Sequence, residues 1–213
     1  MPVQIFHLYD MISKLIIRKV ATPVGCILLD RDNVRDYPFD MTSTACFTGH
    51  RLTSLPKEYS HPLRVRMMQS LIALRVIEAA RAGYRTFITG MALGADMLFA
   101  DSVLDHADAN PELGIRLVGV SPFAGEERRL SPEELTRYNS VKDRCHAFIT
   151  LSSGYYNGCF AARNRFMVEH SSLLIALYHH DRSGTSQTIN MAKRKGLRIE
   201  QINLGSLSVY FGL

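Results

Sequence analysis

Two glycine-containing turns in this sequence have the composition of an anion-binding site. In TGMALGADM, Gly90 follows a short strand-like run and Gly94 stands at the start of a helix-like segment. Glycine allows a sharp turn and the close approach of a ligand, and free N–H groups at a helix N-terminus attract anions. In RSGTSQT, Gly184 and Thr185 occupy the equivalent position after an apolar run. Both turns predict a phosphate cradle, although a plain strand-to-helix corner would use the same glycines.

Cationic and polar residues occur close to these turns. His50 and Arg51 directly follow the strand-like run TACFT and Gly49. The guanidinium group of Arg51 has the planar donor geometry that binds phosphate or carboxylate, and His50 could form hydrogen bonds or transfer a proton near neutral pH. Both residues could equally hold loops together. Arg163 and Asn164 lie within a helix-like segment, where an arginine can simply face solvent.

The segments that must position these residues alternate between strand and helix from residue 44 to residue 202. The predicted strands are 44–48, 85–89, 115–120, 146–151, 172–178 and 198–202, and the predicted helices are 63–83, 93–109, 131–145, 157–171 and 184–196. Several strands are apolar on both faces, which is typical of a parallel sheet covered by helices on both sides. We therefore predict an α/β, Rossmann-like three-layer fold with a mainly parallel sheet flanked by helices. In such a sheet, ligands bind beyond the carboxyl ends of the strands, where both glycine turns are expected to lie.

Residues 1–40 differ in character from the rest of the chain. DRDNVRDYPFD is polar and rich in turn-forming residues, as linkers are, and MTSTACFTGHR has the pattern expected at the start of a compact domain. We therefore predict a Rossmann-like domain at residues 41–213 and an N-terminal extension at residues 1–40. That extension is either disordered, or translated from an upstream start codon, or an additional helix packed on the domain.

The composition indicates a globular protein with a modest positive charge. Of the 213 residues, 46% are hydrophobic and 21% are charged, and the net charge is +5. This charge is compatible with an anionic ligand, a nucleic acid or simply a solvated basic surface. The four cysteines have no C-x-x-C spacing, and His179 and His180 have no third ligand at a suitable spacing. We therefore predict reduced thiols, no metal site and a cytoplasmic location. Because no apolar run is long enough to span a bilayer, we predict no membrane association.

Several of these motifs, taken in order, resemble one protein family. FTGHR, TGMALGADM, SPF, RYNSV, ARNRFMV, LLIALY and SGTSQT are together similar to the YpsA-type branch of the SLOG superfamily, which also includes the DprA/Smf DNA-processing proteins and the LOG enzymes. The resemblance extends from about Thr44 to Asn203. It implies a Rossmann-like fold with a pocket for nucleotides or nucleotide-derived molecules.

Two branches of that superfamily imply particular roles for residues of this chain. TGMALGADM is similar to the glycine-rich element of DprA, which contributes to a nucleic-acid or phosphate site; the matching residues are Gly90, Ala92, Gly94 and Asp96. The pattern RNRFM followed by SGT resembles that of LOG enzymes, which cleave the N-glycosidic bond of a nucleoside monophosphate. In that pattern Arg163 matches the catalytic arginine, and Gly184 with Thr185 matches the end of the glycine turn.

The LOG pattern also requires a glutamate shortly after the second turn, and this sequence lacks it. Ser186, Gln187 and Thr188 occupy that region. Cleavage of an N-glycosidic bond passes through a cationic sugar. A nearby carboxylate either stabilises the positive charge of this sugar or activates the water molecule that attacks it. The carboxylates that could substitute are those of Asp96, Glu126, Glu127 and Glu169, but the sequence does not place any of them at the site.

The function favoured by the motifs is the binding or sensing of a nucleotide or nucleotide-derived small molecule, regulatory rather than catalytic. The residues expected to bind this ligand are Gly49, His50, Arg51, Gly90, Met91, Ala92, Gly94, Asp96, Arg163, Asn164, Gly184, Thr185 and Gln187. Among them Arg51 and Arg163 are the expected anion clamps, and His50, Asn164 and Gln187 the polar contacts to sugar or base. We expect no required cofactor, and by analogy with SLOG proteins we expect a homodimer.

Two alternative functions remain open at this point. One is hydrolysis of a nucleotide N-glycosidic bond as in LOG enzymes, with Arg163 and His50 as the candidate catalytic residues. The other is binding of single-stranded DNA as in DprA, which would require stacking aromatic side chains and a basic groove. Tyr155, Tyr156 and Phe160 are the aromatic cluster nearest the predicted site, and the net charge of +5 is small for a dedicated DNA-binding protein.

Overall fold

The structure, a computed structural model, describes residues 25–51, 54–179 and 183–205. These residues form a sheet of seven strands that all run parallel, in the order β1-β5-β4-β3-β2-β6-β7. The strands are β1 (Ile27–Asp30), β2 (Thr44–Gly49), β3 (Thr86–Thr89), β4 (Arg116–Ser121), β5 (Ala147–Thr150), β6 (Leu173–Tyr178) and β7 (Arg198–Asn203). The predicted Rossmann-like three-layer fold is therefore confirmed.

Five α-helices of the described residues cover the two faces of this sheet. They are α1 (Pro62–Arg81), α2 (Ala95–Ala109), α3 (Pro132–Lys142), α4 (Cys159–Glu169) and α5 (Gly184–Lys195). One apolar core joins α1, α2 and α3 to the sheet, and a second core joins α4 and α5 to its other face. Successive residues of β2 show the alternation, since Ala45 and Phe47 belong to the first core and Cys46 belongs to the second. This two-sided burial explains why several of the strands are apolar on both faces.

Capping residues fix where the helices begin. Ser131 caps α3, because its hydroxyl accepts the Glu134 N–H while the Glu134 carboxylate accepts the Ser131 N–H. Ser183 and Ser186 form the same reciprocal pair at the start of α5. None of the helices formed by the described residues is long and apolar enough to cross a membrane.

The sheet includes a strand that the sequence analysis did not predict. β1 pairs with β5, and the Ile27 N–H donates to the His146 carbonyl oxygen at 3.0 Å. The rings of Tyr37 and Phe39, which follow β1, pack together at 4.5 Å. β1 escapes sequence analysis because it is a short edge strand without alternation, with Leu28 67% exposed. Of the predicted N-terminal extension, Ile27–Asp30 thus join the sheet, and residues 1–24 lie outside the described residues.

The strand order reverses beside β2. From β2 the chain proceeds through β3, β4 and β5 on one side, and then returns to β6 on the other side of β2. In an open parallel sheet such a reversal opens a crevice at the carboxyl ends of the strands. The loops that follow β2, β3 and β4 all lie at this edge, so the sheet itself brings together residues that are far apart in sequence.

Candidate functional site

The glycine turn after β3 folds around a carboxylate of its own chain. Asp96, in the first turn of α2, accepts the Ala92 N–H at 3.2 Å, and the Met91 N–H donates to the Thr89 hydroxyl at 3.3 Å. Met91 has a φ of 58°, and Gly94 has a φ of 114° with a ψ of −123°, a conformation open essentially to glycine alone. The Ala92 N–H of this turn is therefore taken by the chain's own Asp96 carboxyl group, whereas the glycines predict a cradle for the phosphate of a ligand.

Arg163 reaches the same turn from the opposite layer of the fold. It lies on α4, and its Nη1 donates to the carbonyl oxygen of Gly90 at the end of β3. The side chain is only 7% exposed, and its Nε has no hydrogen-bond partner among the described residues. A buried guanidinium with an unsatisfied donor is costly unless it meets an acceptor. Arg163 is thus a buried cation at the carboxyl edge of the sheet.

Asp96 and Glu126 form an acidic pair beside this arginine. Burial raises the pKa of Asp96 to about 6, against the opposing effects of Arg163 and Arg51. Burial likewise raises the pKa of Glu126, again opposed by Arg163, while the Ser121 hydroxyl donates to Glu126 Oε2 at 3.1 Å. The structure therefore brings to Arg163 two of the carboxylates that the sequence could not place. Glu169, by contrast, ends α4 and is exposed.

A cavity of about 460 Å³ opens next to this cluster. Its volume is within the range of small-molecule sites. One part of its wall is polar and includes Arg51 and Glu126, and another part is apolar and includes Phe123 and Phe160. The full lining consists of Arg51, Met91, Ala92, Leu93, Gly94, Phe123, Glu126, Glu127, Arg129, Leu130, Glu134, Tyr138 and Phe160. The turn after β3 thus forms part of a cavity wall, with Arg163 held against it at Gly90.

The second glycine turn does not line this cavity, and its residues form contacts between helices. Asn164 Nδ2 donates to the Thr188 hydroxyl at 2.9 Å, and that hydroxyl donates to the Gly184 carbonyl oxygen at 2.8 Å. These bonds tie α4 to α5. Thr185 is buried, whereas Gln187 is exposed. The structure therefore does not bring Asn164, Gly184, Thr185 and Gln187 to the cavity that Arg51 and Gly94 line.

Gly49 and His50 lie between these two groups, at the strand reversal. A Cβ on Gly49 would lie 2.5 Å from the Ala95 Cβ, so this glycine lets β2 end against the start of α2. His50 is 3% exposed, and its ring centroid lies 6.3 Å from that of Tyr178 on β6. His50 therefore occupies the crevice between β2 and β6 rather than the wall of the cavity.

Sequence reasoning missed the outer wall of the cavity. Phe123 and Arg129 follow β4, and Tyr138 lies on α3. The sequence offered one signal for this wall, namely Ser121 at the end of a predicted strand. That strand is β4, which lies next to β3 in the sheet, so the loop after Ser121 lies next to the glycine turn. The pairing of β3 with β4, which places this loop over the glycine turn, becomes visible only in the folded sheet.

A second cavity, of about 580 Å³, lies at the carboxyl ends of β1 and β5. It is lined by Leu28, Leu29, Asp30, Arg31, Asp32, Ala124, Thr150, Ser152 and Ser153. The Asp30 carboxylate accepts the Asp32 N–H at 2.9 Å and so closes its own turn. Since this cavity contains none of the residues predicted to bind ligand, the cavity beside Arg51 is the candidate site.

Comparison with solved structures supports the fold. DNA processing protein A (DprA) from Streptococcus pneumoniae superposes with a TM-score of 0.51 at 17% identity, over 78% of this chain and 53% of that one. This chain thus spans about half the length of that DprA. DprA from Helicobacter pylori, whose structure was described for its single-stranded DNA binding mode, superposes with a TM-score of 0.50 at 17% identity, over 82% of this chain and 74% of that one. At such identities the likeness concerns the fold alone.

Sequence comparison identifies the family. The SPbeta prophage-derived protein YoqJ of Bacillus subtilis (strain 168) is 25% identical over 146 residues, which cover 63% of this chain and 84% of YoqJ. Residues 45–207 match the model of the YpsA family, described as the YspA SLOG family. That match includes β2 to β7, the glycine turn after β3 and Arg163, so the resemblance seen in the motifs is confirmed and the chain belongs to the YpsA family of SLOG proteins.

Proposed function

We propose that this protein binds a nucleotide or a nucleotide-derived small molecule in the cavity beside Arg51, and that it acts as a sensor of this ligand. One observation supports the proposal most directly: a single cavity is lined by the cation Arg51, the carboxylate Glu126 and the aromatic rings of Phe123 and Phe160. A nucleotide presents an anionic phosphate, ribose hydroxyl donors and an aromatic base. These three parts match a guanidinium, a carboxylate and an apolar wall in turn.

The charges of the cavity favour a small ligand over a nucleic acid. Glu126, Glu127 and Glu134 line it together with Arg51 and Arg129. Binding along a phosphodiester backbone requires a run of cations, because affinity comes largely from neutralising successive phosphates. Carboxylates on the same wall would repel such a backbone, whereas they can accept hydrogen bonds from the hydroxyls of one ribose. Although the H. pylori DprA structure was described for single-stranded DNA binding, we therefore favour a small nucleotide here.

A second candidate function, hydrolysis of an N-glycosidic bond, is favoured by Glu126. This carboxylate lines the cavity, and it is close enough to Arg163 for the arginine to oppose the burial-induced rise of its pKa. A carboxylate at this place could activate water or stabilise a cationic sugar. Asp96 is less suited to this role, because its Oδ2 already accepts the Ala92 N–H. Glu126 is thus the residue on which the hydrolase alternative depends.

The test is calorimetric titration of the full chain with AMP, ADP-ribose, NAD and a cyclic dinucleotide, followed by assay of each sample for free base. We expect saturable binding of at least one compound, a loss of affinity of about tenfold or more in Arg51→Ala from a removed charge-assisted contact, and intact ligand afterwards. Arg198→Ala is the matched control, because Arg198 lies on β7 at one edge of the sheet and pairs there with Glu200.

Each other outcome has a definite meaning. Free base that disappears in Glu126→Gln would identify the protein as a hydrolase rather than a sensor. Binding of none of these compounds, or binding that Arg51→Ala leaves unchanged, would contradict the assignment of this cavity.

A further inference from the structure

Three aromatic rings from separate parts of the chain meet at one end of the cavity. Phe123 follows β4, Tyr155 follows β5, and Phe160 lies in the first turn of α4. The centroid of the Phe123 ring lies 5.6 Å from that of Tyr155 and 6.2 Å from that of Phe160, with interplanar angles of 82° and 80°. The Arg129 guanidinium carbon lies 5.9 Å from the Phe123 centroid and 5.5 Å from the Tyr155 centroid. We call these four residues the aromatic rim.

The aromatic rim passes from the buried cavity wall to the surface. Phe123 is 4% exposed and Phe160 is partly buried, and both line the cavity. Tyr155 is 58% exposed although it contacts Phe123 edge-on. Tyr155 does not itself line the cavity, but through its contact with Phe123 it extends the apolar wall outward to a ring that is largely open to solvent. Such a ring can accept a flat partner without any rearrangement of the core.

Stacking on an aromatic ring is a general way to bind a nucleobase. Every base has a π face, so stacking is strong and tolerant of base identity. A guanidinium beside the ring adds cation–π attraction and offers N–H donors to the acceptors on the base edge. Arg129 is exposed, so its remaining donors are accessible from the cavity that it lines.

We infer that the aromatic rim is the base subsite of this protein, in which Tyr155 and Arg129 hold the nucleobase of a small nucleotide. The inference rests on the proposed function. It extends that function by assigning separate parts of one cavity to separate parts of one ligand. Arg51 and Phe160 line the same cavity, so a single molecule can contact the cation with its phosphate and the rings with its base. The carboxylates Glu127 and Glu134 on that wall disfavour a base that belongs to a nucleic acid.

The test compares a nucleotide with ligands that lack its base, or both its base and its ribose. The full chain is titrated by calorimetry with AMP, ribose 5-phosphate and inorganic phosphate. We expect AMP to bind about tenfold more tightly than ribose 5-phosphate, the effect typical of one stacked base. Tyr155→Ala should remove most of this difference by weakening AMP while leaving ribose 5-phosphate unchanged, and Tyr155→Phe should retain it.

Tyr156→Ala is the matched control. Tyr156 is the next residue and is 47% exposed, and among the described residues its ring forms no aromatic pair. A 2-aminopurine nucleotide gives an independent readout, because stacking quenches its fluorescence and the chain contains no tryptophan to interfere. We expect quenching by the wild-type protein and by Tyr156→Ala, and weaker quenching by Tyr155→Ala.

The outcomes separate this inference from the proposed function. Equal affinity for AMP and ribose 5-phosphate, or a Tyr155→Ala variant that binds AMP normally, would overturn the base subsite while leaving the phosphate site standing. Failure of all three compounds to bind would overturn the base subsite, and it would overturn the proposed function as well if ADP-ribose, NAD and the cyclic dinucleotide also failed to bind. Tighter binding of a single-stranded oligothymidylate than of AMP, lost in Tyr155→Ala, would assign the stacked base to a nucleic acid and so overturn the small-nucleotide inference.

Discussion

Arg163 and Asp96 lie against the same glycine. A Cβ on Gly90 would lie 2.6 Å from Arg163 Cζ and 2.9 Å from Asp96 Oδ2. The absence of a side chain at the end of β3 therefore lets a cation from α4 and a carboxylate from α2 meet at the carboxyl edge of the sheet. The opposite charges partly compensate there for the cost of burial, since Arg163 lowers the pKa of Asp96 against the larger effect of desolvation.

Substitution of Gly90 should displace the Arg163 side chain from its position beside Asp96. In Gly90→Ala the new methyl group requires Arg163 to move, and we expect the free energy of unfolding to fall by about 1–3 kcal/mol, as for other overpacked sites. Urea denaturation measures this loss. Gly154→Ala is the control, because a Cβ there would have nothing within 4 Å, and we expect little change. Equal stabilities of the two variants would contradict the proposed contact.

Substitution of Gly94 should lower both the stability of the protein and its affinity for the ligand. Its φ of 114° is strained for any residue with a Cβ, so Gly94→Ala should lose about 1–3 kcal/mol of stability and weaken ligand binding. Gly83, which follows α1 with a φ of 99°, provides a matched control for the strain alone. We expect Gly83→Ala to lose stability without losing affinity. A Gly94→Ala protein that binds normally would show that this turn does not shape the site.

Stability should depend on the ionisation of Asp96. Its pKa in the folded protein is about 6, whereas the pKa of an aspartate in an unfolded chain is about 4. The folded state therefore binds the extra proton between these values, and stability falls as the pH rises from about 4 to about 6, by about 3 kcal/mol at most. Asp96→Asn cannot ionise, so this part of the pH dependence should disappear.

The measurement is urea denaturation of wild type and Asp96→Asn across that pH window. Burial raises the pKa of Glu126 as well, so Glu126→Gln is included to separate the two carboxylates, whose effects have the same sign. Parallel stability curves for wild type and Asp96→Asn would show that Asp96 does not bind the proton in question.

Asn164 should contribute to stability through the link between α4 and α5. Its side-chain amide donates to the buried Thr188 hydroxyl at 2.9 Å, so Asn164→Ala should lower stability by about 1 kcal/mol. A double-mutant cycle with Thr188→Val should give less than the sum of the two single losses. In the AMP titration we expect normal affinity for Asn164→Ala. A selective loss of affinity would instead place Asn164 in the ligand site, as the motifs predict.

The sequence by itself determined the order and type of the elements from residue 44 onward. Apolar runs and helical spacing are local, since each element must bury its own face wherever it finally packs. TGMALGADM was recognisable as a glycine turn at the start of a helix for the same reason: the positive φ at Gly94 and the bond from the Ala92 N–H to the Asp96 carboxyl group arise within a few residues. The edge strand β1 gave no such signal, because most of its residues are exposed.

Only the tertiary structure decided which side chains meet at the site. Arg163 and Gly90 are 73 residues apart in sequence, and Ser121 and Glu126 come to them from a different strand end. Their meeting depends on the order of the strands, in which β4 lies beside β3, and on a helix from the opposite layer reaching over the sheet edge. Hydrophobic patterning reports how each element is buried, but it does not specify the neighbours of that element. Asn164 and Gly184 do not line the cavity that Gly94 lines, although the motifs alone had placed all three in one site.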